Sequence, residues 1–153
     1  MTVPTRGTFD DDMQFKDAGL VGDTDAAGTV SSVAKVIDVG SSTTKIRGEM
    51  IIDVSALEIA SNDEIYDIII QGSTVAAFAT DTAIVDLCSL TLGAAEVQRS
   101  DCNADNTTGR YSLLFSNEHA GTIYRYLRIY TVTTGTIATG INYTAHAVPI
   151  ADV

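Results

Sequence analysis

TIYRYLRIYTV, residues 122–132, alternates in a way that suits an extended strand. Successive side chains of a strand point to opposite faces, so Ile123, Arg125, Leu127 and Ile129 share one side and Tyr124, Tyr126, Arg128 and Tyr130 the other. Neither side is ordinary solvated surface. The first suits a core, and the second carries the residue types enriched at protein interfaces.

Similar runs surround it: AKVIDVG, IRGEMIIDVSAL, EIYDIIIQGS, TAIVDLCSLTLG, GRYSLLFSN and TGINYTAHAV. Each is rich in β-branched and aromatic residues and is bounded by Gly, Asn, Asp, Ser or Thr, which favour turns. Met50, Ile52 and Val54 fall on one face of their run, as do Tyr66, Ile68 and Ile70, and Tyr111, Leu113 and Phe115. No long stretch repeats apolar residues at the helical period. The expected fold is all-β, an antiparallel two-sheet sandwich of jelly-roll type built from seven or eight strands in a single domain of the 153-residue chain.

Residues 1–33 mix Gly, Asp, Thr and Ala with few periodic apolar positions and are expected to form an extended N-terminal arm, with the sandwich domain over 34–153. Phe9, Met13, Phe15 and Leu20 make this segment too apolar for a free tail. An arm of this kind lies along its own domain or along a neighbour, so Phe9 and Phe15 join Tyr124, Tyr126, Arg128 and Tyr130 as candidates for a self-association or partner interface. The competing expectation is that the tyrosine side covers a second apolar layer, such as the arm folded back on the sheet.

Twenty acidic against nine basic residues give a formal charge of −11, which repels phosphate backbones and anionic lipid surfaces. Neither nucleic acid nor membrane is an expected partner. The N-terminus lacks the apolar core of a secretory signal, and no run of about 20 apolar residues could cross a bilayer, so a cytosolic site of synthesis is expected. Cys88 lies in an apolar strand and Cys102 in a polar loop, and both are read as free thiols.

Candidates for chemistry are weak. Asp10, Asp11 and Asp12 are consecutive, a spacing that cannot direct three carboxylates at one cation without a special turn, so no metal site is expected. His119 and His146 have no evident nucleophile beside them, and no nucleophile elbow, zinc-protease, phosphate-loop or dinucleotide motif occurs. Asp63 and Glu64 could in principle serve as a glycosidase pair, but the chain has no Trp for a sugar platform. Neither catalysis nor a cofactor is expected.

Certain pieces recur in a familiar order: Phe15, Asp17 and Ala18 as F-x-D-A, a KVIDVG strand, RGEMIIDV, and an aliphatic strand ending in QGS. They are followed by the Tyr-Arg-Tyr-Leu-Arg-Ile-Tyr strand, a Thr/Gly turn and a Gly-x-x-x-x-Ala-x-x-V strand. This sequence resembles the small capsid cement, or decoration, proteins of short-tailed phages, of the Bordetella-phage type. The resemblance implies a jelly roll or related sandwich on the outer surface of an HK97-like icosahedral head. Its partners would be the major capsid protein and itself, as a homodimer or alternatively a trimer. A carbohydrate- or receptor-binding sandwich module, with tyrosines stacking on sugar rings, is the alternative.

Overall fold

The computed structural model describes residues 11–79, 83–101 and 104–150. Short strands come first: β1 (Gln14–Lys16), β2 (Leu20–Val21), β3 (Ala26–Ala27), β4 (Thr29–Val30), β5 (Val33–Ala34) and β6 (Ile37–Asp38). The long ones follow: β7 (Arg47–Leu57), β8 (Ile65–Ser73), β9 (Ile84–Gly93) and β10 (Gly109–Ser116). A ribbon of β11 (Glu118–His119) and β12 (Thr122–Ile123) precedes β13 (Tyr126–Thr134) and β14 (Ile141–Pro149). One four-residue helix, α1 (Ala95–Gln98), follows β9.

Two antiparallel sheets form the sandwich. In one, β14 lies between the β1 and β2 segments and β7, and β10 closes the far side. In the other, β13 lies between β3 with β6 and β8, and β9 closes the far side. Taking β1 with β2, and β3 through β6, as two broken strands leaves eight in chain order, arranged 1-8-3-6 and 2-7-4-5. That is the jelly-roll order.

Period-two alternation accounts for the core. Met50, Ile52 and Val54 of β7, Tyr66, Ile68 and Ile70 of β8, Leu127 and Ile129 of β13, and Ile141, Tyr143, Ala145 and Ala147 of β14 all point between the sheets. Each large apolar side chain buried there contributes about 1.5–3 kcal/mol relative to an exposed one. On the edge strand β10, Phe115 is buried while Tyr111 and Leu113 are half-buried against the core.

The described part of the segment expected to be an arm, from residue 11 on, lies along its own domain, where it supplies the edge strands of both sheets. β1 pairs with β14 and β3 with β13, and the 33/34 boundary falls inside β5. Its strands are two or three residues long because Gly19, Gly22, Gly28 and the Ser31–Ser32 turn, with both serines at positive φ, interrupt them. Phe15 is fully buried and meets the Phe115 ring edge-on at 6.5 Å. Gly28 lets the chain pass, since a Cβ there would stand 2.7 Å from the Phe15 carbonyl oxygen.

Loops at one end are fastened by carboxylates. Glu64 is buried and accepts backbone hydrogen bonds from Ala60, Ser61 and Asp63, at 2.7–3.1 Å. Burial pushes its pKa up, but backbone donors at Ser61, Glu64, Asp63 and Ala60 outweigh that and hold it below the ordinary value. Asp63 accepts from the Thr136 amide and hydroxyl, and Glu58 from the amides of Ala138, Thr139 and Gly140.

Candidate interaction face

The outer surface of the β13 sheet carries the residues that the opening alternation singles out. Tyr126, Arg128 and Tyr130 project from it half-buried, while Leu127, Ile129 and Thr131 point inward. Opposite them on β8 stand Ser73, Gln71 and Ile69, and beyond those on β9 Asp86 and Ser89.

Arg128 occupies the centre. Its guanidinium carbon lies 4.4 Å from the Phe78 ring centroid and 4.7 Å from that of Tyr130, so two rings hold one cation. Its Nε donates to Gln71 Oε1 at 2.9 Å, and Gln71 Nε2 donates to Asp86 Oδ1 at the same distance. The chain of bonds fixes both the amide and the guanidinium. Burial lowers the Arg128 pKa, with the nearby Tyr130 acting in the opposite direction.

Phe78 arrives from the loop after β8. Ser73 starts that loop by accepting from the Val75 amide and donating to the Val75 carbonyl, and the Phe78 amide then reaches back to Val75 O. Phe78 itself sits at φ 48°, where a side chain is unfavourable, and it is 8% exposed. Among the described residues it is this loop that brings a ring onto the face, while residues 26–27 and 37–38 of the N-terminal stretch lie beside β13 as the edge of its sheet. On the same face Ile69, paired with Tyr130, is 9% exposed although its β8 position faces away from the core.

Tyr124 departs from the expected alternation. The chain bends at Arg125, before β13 begins; the Tyr124 amide donates to the Asn117 carbonyl, and the Asn117 side-chain Nδ2 donates to the Tyr124 carbonyl. The Tyr124 Cβ lies 2.8 Å from where a Cβ on Gly72 would stand, and Gly72 pairs with inward-facing Leu127. Tyr124 thus packs over Gly72, near the end of β8. Arg125 turns outward in exchange and forms a bidentate pair with Asp38 at 2.7 and 2.8 Å, 5.1 Å over the Tyr126 ring. The pair holds the Asp38 carboxyl below its ordinary value, chiefly through the Arg125 hydrogen bond.

Of the candidates, Tyr126, Arg128 and Tyr130 come together on one accessible face. Tyr124 and Phe15 are packing residues, Phe15 because the core closes completely around it. Phe9 lies outside the described residues. Phe78, Gln71 and Asp86 belong to the face but went unnoticed in sequence; the β8–β9 register that brings Gln71 and Asp86 together depends on a bulge between Ile70 and Gln71.

The other candidates are spoken for or separate. Asp63 and Glu64 are engaged with loop amides, as described above. His146 projects outward from β14 between buried alanines, while His119 sits on the β11 ribbon. Asp12 is exposed, Asp10 lies outside the described residues, and among the described residues no group of three potential ligands could hold a metal ion. Cys88 is a free thiol and Cys102 lies outside the described residues. No described helix is long and apolar enough to cross a membrane.

A concavity lies elsewhere among the described residues. About 390 Å³ opens between β6 and the start of β7, lined by Met13, Ile37, Val39, Ile46, Phe115 and Pro149 among others. Fold and face together define an all-β jelly roll presenting a rigid aromatic and arginine surface on one sheet. No family model matches the chain, and no curated protein matches it.

Proposed function

We propose that this chain is a structural virion protein, a capsid cement protein that binds the outside of an HK97-like icosahedral phage head and clamps neighbouring capsomers. The observation that supports it is the Tyr126, Arg128, Tyr130 and Phe78 face, in which interface-type side chains are preorganised on a sheet. The order of strands that resembles the cement family supports it as well. In this proposal the protein catalyses nothing and needs no cofactor.

Clamping would work by preference for the assembled state, since a ligand that binds only the closed shell stabilises it by mass action. Contacts at successive capsomers add through effective concentration, so modest individual patches hold a shell against internal pressure. The charge of −11 keeps the free protein soluble and away from packaged DNA. Self-association as a dimer or trimer would add valency and is read by light scattering.

Co-sedimentation tests the proposal. Shells assembled from the major capsid protein encoded beside this chain should carry it into the pellet at a fixed ratio and survive heating better than bare shells. Well-formed shells that pellet without it overturn the cement function.

A further inference from the structure

The described arginines fall into two groups. Arg99, Arg110 and Arg125 each meet an aspartate, Asp101, Asp53 and Asp38 respectively, through Nε and Nη2 at 2.7–3.1 Å, and Arg47 also has a partner. Arg128 differs. Its one hydrogen bond among the described residues goes from Nε to the neutral amide of Gln71, and no described carboxylate pairs with it.

In a chain with 20 acidic residues and nine basic ones, an arginine that meets no carboxylate among the described residues is a specific arrangement. The described groups around Arg128 fix its position without neutralising it: two rings, and an amide held by Asp86. Among the described residues the Nη1 and Nη2 groups keep their donors, and the planar fork of a guanidinium matches the two oxygens of a carboxylate. Ordering the side chain beforehand removes an entropic cost from binding.

We propose that Arg128, clamped between Phe78 and Tyr130, is the receptor for an aspartate or glutamate side chain of a partner protein. For the identity of that partner, the capsid shell, this rests on the function proposed above; the recognition of a carboxylate does not. A second copy of the chain is disfavoured by the face itself. Its described carboxylates are engaged, Asp38 by Arg125, Asp86 by Gln71 and Asp67 by Thr91, so among the described residues two such faces offer each other no unengaged one of these three acids.

Two measurements on the full chain test it. The first follows the arginine Nε–H signals by nuclear magnetic resonance during titration with sodium acetate and with N-acetylglutamate amide, against sodium chloride at equal ionic strength. A saturable shift of Arg128, absent from Arg110 and Arg125 and from the chloride control, is expected. Equal shifts at all three arginines, or the same shift with chloride, overturn the carboxylate site.

The second compares wild type, Arg128→Lys and Arg110→Lys in co-sedimentation with shells. Arg128→Lys keeps the charge but loses the fork, and should bind at least about tenfold more weakly, whereas Arg110→Lys should bind as wild type. Undiminished pelleting of Arg128→Lys beside a wild type that pellets overturns this inference and leaves the cement function standing. Wild type that fails to pellet while acetate still titrates Arg128 does the reverse. A dimer by light scattering that Arg128→Lys dissociates would assign the site to a second copy and overturn the partner named here.

Discussion

The hydroxyls of Thr131 and Tyr143 meet at 2.6 Å in the middle of the core, one from each sheet. Tyr143 is also tied at its carbonyl to the buried Lys16 ammonium, 3.2 Å away, which lies 4.7 Å from the centre of its ring. The sheets are thus joined by a polar contact as well as by apolar packing. Burial raises the Tyr143 pKa far above its ordinary value, although the Thr131 hydrogen bond opposes the shift, so the phenol stays protonated as donor or acceptor throughout the working pH range.

Removing one partner of this contact should cost more than removing both. Tyr143→Phe leaves the Thr131 hydroxyl buried without a partner, an expected loss of about 1–3 kcal/mol in urea unfolding. The double variant with Thr131→Val should recover most of that loss. If the double variant is less stable than Tyr143→Phe alone, the inter-sheet bond is not what the hydroxyls contribute.

Glu64 predicts an acid limb of stability. Its folded pKa lies below the ordinary 4.5, so the folded state holds fewer protons than the unfolded one at mildly acidic pH. The contribution is fully present above about pH 4.5 and is lost as pH falls through the depressed folded value. Glu64→Gln should be less stable at pH 7, because an amide NH₂ cannot accept from the surrounding N–H groups, and its stability should fall less steeply between pH 5 and pH 3. Parallel slopes for the two proteins in that window would remove Glu64 as the cause.

Gly72 and Tyr124 make a steric prediction about the bend before β13. An alanine methyl at Gly72 would stand 2.8 Å from the Tyr124 Cβ and 3.0 Å from its Cγ, an overlap that costs about 1–3 kcal/mol. Combining Gly72→Ala with Tyr124→Gly, which removes both the Cβ and the ring, should cost less than the sum of the two single changes, by double-mutant cycle. Strict additivity would mean that Tyr124 points away from Gly72, as the unbroken alternation requires.

The strands were legible in sequence wherever alternation ran unbroken, as from Met50 to Val54 and from Tyr66 to Ile70, because burial of one face enforces period two. What escaped was set by events that carry no periodicity. The bend at Arg125 exchanges the faces of Tyr124 and Arg125, and the turn signals that make residues 1–33 look like an arm are, over the described part from Gln14 on, only interruptions in two edge strands. At the face, the tyrosines and Arg128 stand close in sequence and were visible. Phe78, fifty residues earlier in the chain than Arg128, is brought to it by a loop whose composition predicts nothing of where it lands.

Cys88 should react slowly. Burial raises its thiol to a pKa of about 11, against a modest opposing hydrogen bond from the Ile70 backbone, so little thiolate is present at neutral pH. Iodoacetamide labelling at pH 8, followed by mass spectrometry of the Cys88 peptide, should be at least about tenfold slower in the folded protein than in urea. Equal rates would mean that this part of β9 is open to solvent.

Phe78 lies at φ 48°, which inverts an ordinary expectation. Within regular structure, glycine is less stable than alanine by about 0.5–1 kcal/mol, because it loses more backbone freedom on folding. In the left-handed region a Cβ itself costs about 1–2 kcal/mol, and glycine escapes that penalty. Both Phe78→Ala and Phe78→Gly lose a buried ring and its contact with Arg128, so both should be destabilised relative to wild type. Between them the glycine variant should be at least as stable as the alanine one in urea unfolding. A clearly more stable alanine variant would mean that the loop does not hold residue 78 in this conformation, and that the ring over Arg128 is not fixed by its backbone.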